Sequence, residues 1–503
     1  MDLARLAVWK KASKSMSSNT PFFKAFGPLL FGRPGRRTLQ KLSRLNSLQE
    51  LYEIFGHLLP ERLLAATENG VNSRDRLFST QVTFWAFAAQ ILSPGTACRE
   101  MVRRVEAWWQ ETRGSEQAPS GSTSAYCQAR ARLDPVALEL ICAEIAWNLE
   151  KNVLSEERWL QGRSVKIVDG TGISMPDTPE NQARWPQSCE QQPGCGFPAM
   201  KLVGLFSLGS GALLETATGN KHVHESTLFR TLWSKLQPGD IVLADRGFSS
   251  YAALAGLLQQ RRVDSVMRLH QMRQADFRTG RRLGPEDRLV IWQKPQRTEA
   301  WSEEEFAALP ETLTLRMIRL RVATPGFRTQ SVVLVTTLLD AETDPAEQLR
   351  ELYGRRWQVE LHFQQIKTHL AMDVLRCKSP ALIEREVRMH QIAYNLVHSL
   401  MQRSAHLHRV SLSRLSFKGT LDTLRHWSVL VAAETPRAQQ KIIDHMLALI
   451  AGDPVPERPG RSEPRAKKRR GKNYQLLTKP RGQVGNLPRR NRPKSKRPKT
   501  ALS

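Results

Sequence analysis

Two short strand-like runs that each end in an aspartate constrain this chain more than any other feature. Val165-Lys166-Ile167-Val168 runs into Asp169-Gly170-Thr171, and Ile241-Val242-Leu243-Ala244 runs into Asp245-Arg246-Gly247-Phe248. If the two strands are neighbours in one sheet, both carboxylates project from the same edge of an α/β domain. Two facing carboxylates without a cation repel, and one pKa rises. Mg²⁺ resolves the conflict, because it prefers oxygen ligands and keeps some waters and substrate phosphates. Taken singly, a strand-end aspartate is more simply a helix cap or a turn former. A catalytic reading therefore needs a third acid.

The helix predicted over 345–370 offers one. Tyr353, Arg356, Glu360 and Lys367 stand at i, i+3, i+7 and i+14. At the α-helical angle they fall within an arc of roughly 60°. Leu352, Val359, Phe363, Ile366 and Leu370 form a separate apolar stripe beside them. Docking that stripe on the sheet would put the polar row at the rim of the site. The competing account is a solvated face with an incidental salt bridge.

The rest of the chain supplies context. Its 503 residues suggest several units. Residues 1–160 read as helical, with apolar spacing at Leu48, Leu51, Ile54 and Leu58, a Gly/Ser/Pro-rich loop over 114–123, and arginines at 99, 103, 104, 130 and 132. Residues 161–269 read as the first part of the α/β domain, 270–342 as a β-rich insertion, 343–400 as the second part, and 401–453 as helical. Residues 454–503 read as a basic disordered tail, too poor in apolar residues to fold alone. Lys and Arg total 75 against 48 Asp and Glu, a formal net charge of +27. A chain that basic points to nucleic acid, although a solubilising tail on a neutral enzyme would give the same balance. No cysteine pair has zinc-site spacing, and a reduced state is expected. No secretory signal is read at the N-terminus, and the most apolar stretch, 84–92, is too short to span a bilayer. His222 and His224 alternate as zinc ligands can, but no third ligand follows at convincing spacing, and a surface or supporting role is favoured.

At this point the sequence resembles a known family. Tyr353, Arg356, Glu360 and Lys367 form a Tyr-x2-Arg-x3-Glu-x6-Lys pattern similar to the signature of the fourth insertion-sequence family of bacterial DDE transposases. Val168-Asp169-Gly170-Thr171 and Ala244-Asp245-Arg246-Gly247-Phe248 resemble its two aspartate motifs, and 175–181 with Trp185-Pro186-Gln187 its loop after the first acid. The likeness spans roughly 160–400, with a weaker echo near 474–481. It implies an α/β, RNase H-like catalytic domain interrupted by a β-rich insertion, flanked by a helical N-terminal DNA-binding region and the basic tail. It also implies cut-and-paste transposition, with Asp169, Asp245 and Glu360 as catalytic metal ligands for Mg²⁺, Mn²⁺ being able to substitute. Tyr353, Arg356, Lys367 and Arg246 would hold DNA phosphates. An aromatic of the insertion would hold a flipped base, with Trp292, Trp301 and Phe327 as candidates. The implied partners are double-stranded DNA, as transposon ends and target, and a second copy of the chain. No membrane is involved, and the expected location is the cytoplasm at the nucleoid.

Three alternatives stay open on sequence alone. One is a metal-dependent nuclease that cuts without joining, and another is a DNA-binding protein that has lost catalysis. The third is a tyrosine or serine recombinase, in which Tyr353 or a serine would be the nucleophile.

Overall fold

The computed structural model describes residues 49–64, 77–113, 121–298, 300–321, 331–431, 436–456, 477–480 and 483. The expected helices before residue 49, Phe327, most of the 114–123 loop and nearly all of the basic tail lie outside these residues. The chain divides into two compact units, Met1–Leu149 with Arg388–Val455, and Glu150–Val387 with Pro456–Ser503.

Among its described residues the first unit is built of helices joined by short connections, with no strand. Its arginines have diverse roles. Arg103 and Arg104 make surface pairs with Glu106 and Glu100, both at 2.7 Å. Arg130 is buried, with its guanidinium 4.8 Å from the Phe87 ring and 5.0 Å from that of Tyr126. The two rings offer their faces to the cation, so this arginine packs in the core.

The second unit is built on one mixed sheet of nine strands in the order β3-β2-β1-β4-β5-β9-β8-β7-β6. The strands are β1 (Val165–Ser174), β2 (Ala199–Ser207), β3 (Leu213–Gly219), β4 (Ile241–Ala244), β5 (Asp264–Arg268), β6 (Arg281–Gly284), β7 (Asp287–Gln293), β8 (Thr312–Arg321) and β9 (Ser331–Thr336). β1, β2 and β3 form an antiparallel meander, and β4 lies parallel to both β1 and β5. Every residue of β4 is buried, as expected of a short apolar run with parallel neighbours on both sides. The strands of the 270–342 block continue this sheet, because β9 pairs antiparallel with β5 and β8, β7 and β6 follow. Arg316 on β8 is wholly buried; it meets Asp287 of β7 at 2.6 Å and donates to the carbonyls of Asp340 and Asp344.

Numbered from the start of this unit, its helices are α1 (Pro179–Arg184), α2 (Glu225–Thr231), α3 (Tyr251–Arg261), α4 (Glu303–Ala307), α5 (Ala346–Gly354) and α6 (Gln358–Gln364). Val168, Val203, Leu205, Val242 and Ala244 form one core layer with Phe229 of α2 and Leu254 of α3. Phe206 of β2 packs edge-on against Phe363 of α6 and stacks on His362. The apolar stripe read from the sequence thus docks α6 on the sheet.

Two local expectations are corrected. β1 does not end at Asp169 but runs on to Ser174, because β2 pairs with it all the way, from Lys166↔Ser207 to Ser174↔Ala199. Nor is 345–370 one regular helix. Between α5 and α6 the chain tightens to a 3₁₀ turn at Arg355–Trp357, and after α6 it widens to a π-helical turn at Gln365–His369. Among the described residues no helix is long and apolar enough to cross a membrane.

Candidate catalytic carboxylate site

The site lies where β1 and β4 part. β4 pairs with β1 only from Val165↔Ile241 to Ile167↔Leu243. Two residues further along, Asp169 on β1 and Asp245 directly after β4 occupy matching positions. Side chains alternate along a strand, so both fall on the face opposite Val168 and Ala244. The edge of β1 that faces β4 is therefore open after Ile167. At its far end it is closed again, where Leu375 N donates to Ser174 O at 2.9 Å.

The broken helix fills this opening. Tyr353 in the last turn of α5 and Arg356 in the 3₁₀ turn stand three residues apart, with the guanidinium 6.0 Å from the ring. From Arg356 a normal i,i+4 step reaches Glu360, with NH2 3.8 Å from Oε1. Arg356 NH1 also lies 3.6 Å from Asp169 Oδ2. The π turn then aims Lys367 back at β1, where Nζ donates to Thr171 Oγ1 at 2.9 Å and to the Gly172 carbonyl at 3.0 Å. Arg356 is only 6% exposed, and its Nε has no hydrogen-bond partner.

The electrostatics follow from this crowding. Burial raises the Asp169 carboxyl above its ordinary value, and the Asp245 charge adds to the rise, while the Gly170 N–H (2.8 Å) and Arg356 oppose it. Glu360 is raised by burial too; Arg356 opposes this, and Asp169 and Asp245 reinforce it. Burial chiefly pushes the Tyr353 phenol up to about 12, so it stays protonated at neutral pH. A deprotonated Tyr353 nucleophile is thereby disfavoured.

The residues predicted from the sequence fall into two groups. Asp169, Asp245, Tyr353, Arg356, Glu360 and Lys367 share one neighbourhood. Arg246 opens a 3₁₀ turn directly after Asp245 and is exposed. Trp292 and Trp301 are buried in the core, with Arg273 3.8 Å from the first ring and Arg230 4.6 Å from the second. His222 and His224 are exposed. Sequence reasoning missed Glu225, the first residue of α2, which approaches the site past Gly170. Burial and the Asp169 charge raise its carboxyl. The available signal was the glycine itself, which lies within a strand and has no turn to make.

The donor set suits a divalent cation: three hard oxygen donors whose mutual repulsion is only partly relieved by one guanidinium. Asp169 and Glu360 both lie beside Arg356, and among the described residues no three acidic, histidine or cysteine side chains gather about a single point.

Comparison with known proteins agrees with this chemistry. The transposase DDE domain profile matches residues 160–396. The chain is 26% identical over 454 residues to the transposase InsG for insertion sequence element IS4 of Escherichia coli (strain K12), covering 88% of this chain and 98% of that protein. A 72-residue stretch, 14% of this chain and 20% of the relative, is 36% identical to the putative transposase InsL for insertion sequence element IS186A of the same strain. Among solved structures, a piggyBac transposase synaptic complex with hairpin DNA aligns with a TM-score of 0.38 and 12% identity over 86% of this chain and 88% of that one, too distant to bear on the fold.

Proposed function

Because the chain belongs to the IS4 family of DDE transposases and so acts in DNA transposition, we propose that Asp169, Asp245 and Glu360 are its catalytic acids, binding Mg²⁺ with Mn²⁺ as a substitute. The observation that carries this reading is the meeting of Asp169 and Glu360 about one buried arginine, within the field of Asp245. The antiparallel meander continued by parallel strands suits an RNase H-like domain, with the 270–342 block as its β-rich insertion.

The reaction proposed is cleavage at the transposon ends followed by joining of the freed 3′-OH to target DNA. When bound, two divalent ions would activate the attacking oxygen and stabilise the leaving one. The protein's own residues do the positioning. Arg356 has N–H donors to spare beyond its two carboxylate contacts, and these suit a DNA phosphate near the scissile bond. Lys367 uses two donors on β1 and keeps a third for phosphate. Arg246, exposed beside Asp245, suits the same backbone. Tyr353 serves as a hydrogen-bonding phenol. Pairing of two ends calls for a dimer, and the helical region before residue 160 together with the basic tail is assigned to DNA.

The test is a cleavage and strand-transfer assay with Mg²⁺, on DNA carrying the sequences that flank the gene. Wild type should cut and join, and Glu360→Ala should bind the same DNA without cutting it. Cutting by Glu360→Ala at the wild-type rate would remove Glu360 from the catalytic set. Cutting without joining by wild type would favour the nuclease reading.

A further inference from the structure

Glu225 reaches Asp169 from the side of the sheet that α2 covers. Its carboxylate lies hard against Gly170: a Cβ built on that glycine would stand 2.4 Å from Glu225 Cδ and 2.6 and 2.7 Å from its two oxygens. A carboxylate thus fills the space that any other residue next to Asp169 would claim. The position is fixed by the sheet, because Lys201 of β2 donates to the Val223 carbonyl at 3.0 Å and ties down the turn leading into α2. Burial and the Asp169 charge raise the Glu225 carboxyl, and the Lys201 charge on β2 opposes them. Across Asp169 stands Arg356, more than nine-tenths buried, directed at the carboxylates and with its Nε unpartnered. A carboxylate pressed against Gly170 on one flank of Asp169 and a buried guanidinium on the other describe a site built for a cation together with an anion.

We propose that Glu225 is a fourth carboxylate of the divalent-cation site, a positioning residue that takes hydrogen bonds from the water shell of an ion held at Asp169, and that residue 170 is glycine in order to admit it. Mg²⁺ retains several of its waters when protein-bound, and outer carboxylates that orient such ligands typically change metal affinity by about 10- to 100-fold. This inference rests on the reading of Asp169 as a metal ligand.

The experiment measures Mn²⁺ binding to the full-length protein without DNA, by the electron paramagnetic resonance signal of the free ion. Wild type should bind. Glu225→Gln keeps the shape and removes the charge, and should weaken binding by about tenfold; Glu225→Asp should recover part of the loss. Gly170→Ala, which displaces the carboxylate, should weaken binding as Glu225→Gln does. Asp169→Asn should weaken it most. Wild-type Mn²⁺ affinity in a folded Glu225→Gln, with Asp169→Asn impaired, would overturn the role of Glu225 alone. Absence of Mn²⁺ binding by wild type, or normal binding by Asp169→Asn, would overturn the metal reading and this inference together.

Discussion

Arg356 holds an unusual position for a cation in the proposed metal site, since it neutralises Asp169 and Glu360 in the place where a divalent ion would do the same. It follows that Arg356→Gln should bind Mn²⁺ more tightly than wild type, by a few-fold, while cleaving DNA more slowly, because it removes a competing charge and a phosphate contact at once. Weaker Mn²⁺ binding would mean that the arginine organises the carboxylates more than it repels the ion. The same crowding sets a pH dependence. Asp169 and Glu360 have folded-state pKa values above their ordinary ones. Between those values the folded state binds more protons than the unfolded state, so their contribution to stability is present below the unfolded pKa and fades as pH rises through the folded one. The metal-free protein should therefore lose melting temperature from about pH 4 upward, and Asp169→Asn should flatten that loss. Identical profiles for the two proteins would refute the linkage. At this scale the nearness of Asp169, Asp245 and Glu360 was legible from sequence, because apolar runs and helical spacing are local patterns. Glu225 was not, because its approach to Gly170 depends on how α2 crosses the sheet.

The elements show why a correct helix prediction can still misplace its side chains. The stripe of Leu352, Val359, Phe363 and Ile366 was visible, and all four are buried. The 3₁₀ and π turns were not visible, because they arise where one end of the helix docks on the sheet and the other must reach Thr171. At a uniform 100° per residue, Lys367 falls in line with Glu360, whereas the π turn, a form frequent at functional sites, directs it to β1 instead. Phe206 is the anchor for this arrangement. Phe206→Ala should cost about 3–5 kcal/mol in unfolding free energy, and should reduce cleavage more than DNA binding, because it frees the segment bearing Glu360. Equal losses of binding and cleavage would argue for global unfolding. Arg316 offers a companion test in the added strands. Arg316→Met leaves Asp287 buried without its partner and should cost about 3–5 kcal/mol in a denaturant titration. A near-neutral change would mean that the pair does not hold the added strands together. β7, β8 and β9 of this block were legible as apolar runs and β6 was not; nor was their membership of the main sheet, since pairing over such separations leaves no local mark.

For the whole molecule, charge is distributed unevenly along the chain. Residues 454–503 carry 17 of the 75 lysines and arginines against two acids, so +15 of the formal +27 lies in the last tenth of the sequence. Counterion release makes such charge matter most at low salt, where each phosphate neutralised contributes about 0.9 to the log–log salt slope. Truncation after residue 453 should weaken binding to random-sequence DNA at low ionic strength and flatten that slope, while leaving any preference for transposon ends intact. An unchanged slope would mean that the tail does not touch DNA. The nine-stranded sheet has a consequence of another kind, for how such a gene can change. β9 covers the edge of β5, so a deletion of the 270–342 segment would leave the hydrogen-bonding groups of β5 bare, an open invitation to edge-to-edge aggregation. The 270–342 block is thus not a detachable accessory. Relatives that gain, shorten or exchange it must do so while keeping a strand in the place of β9, and its diversity should be concentrated among the outer strands and their loops.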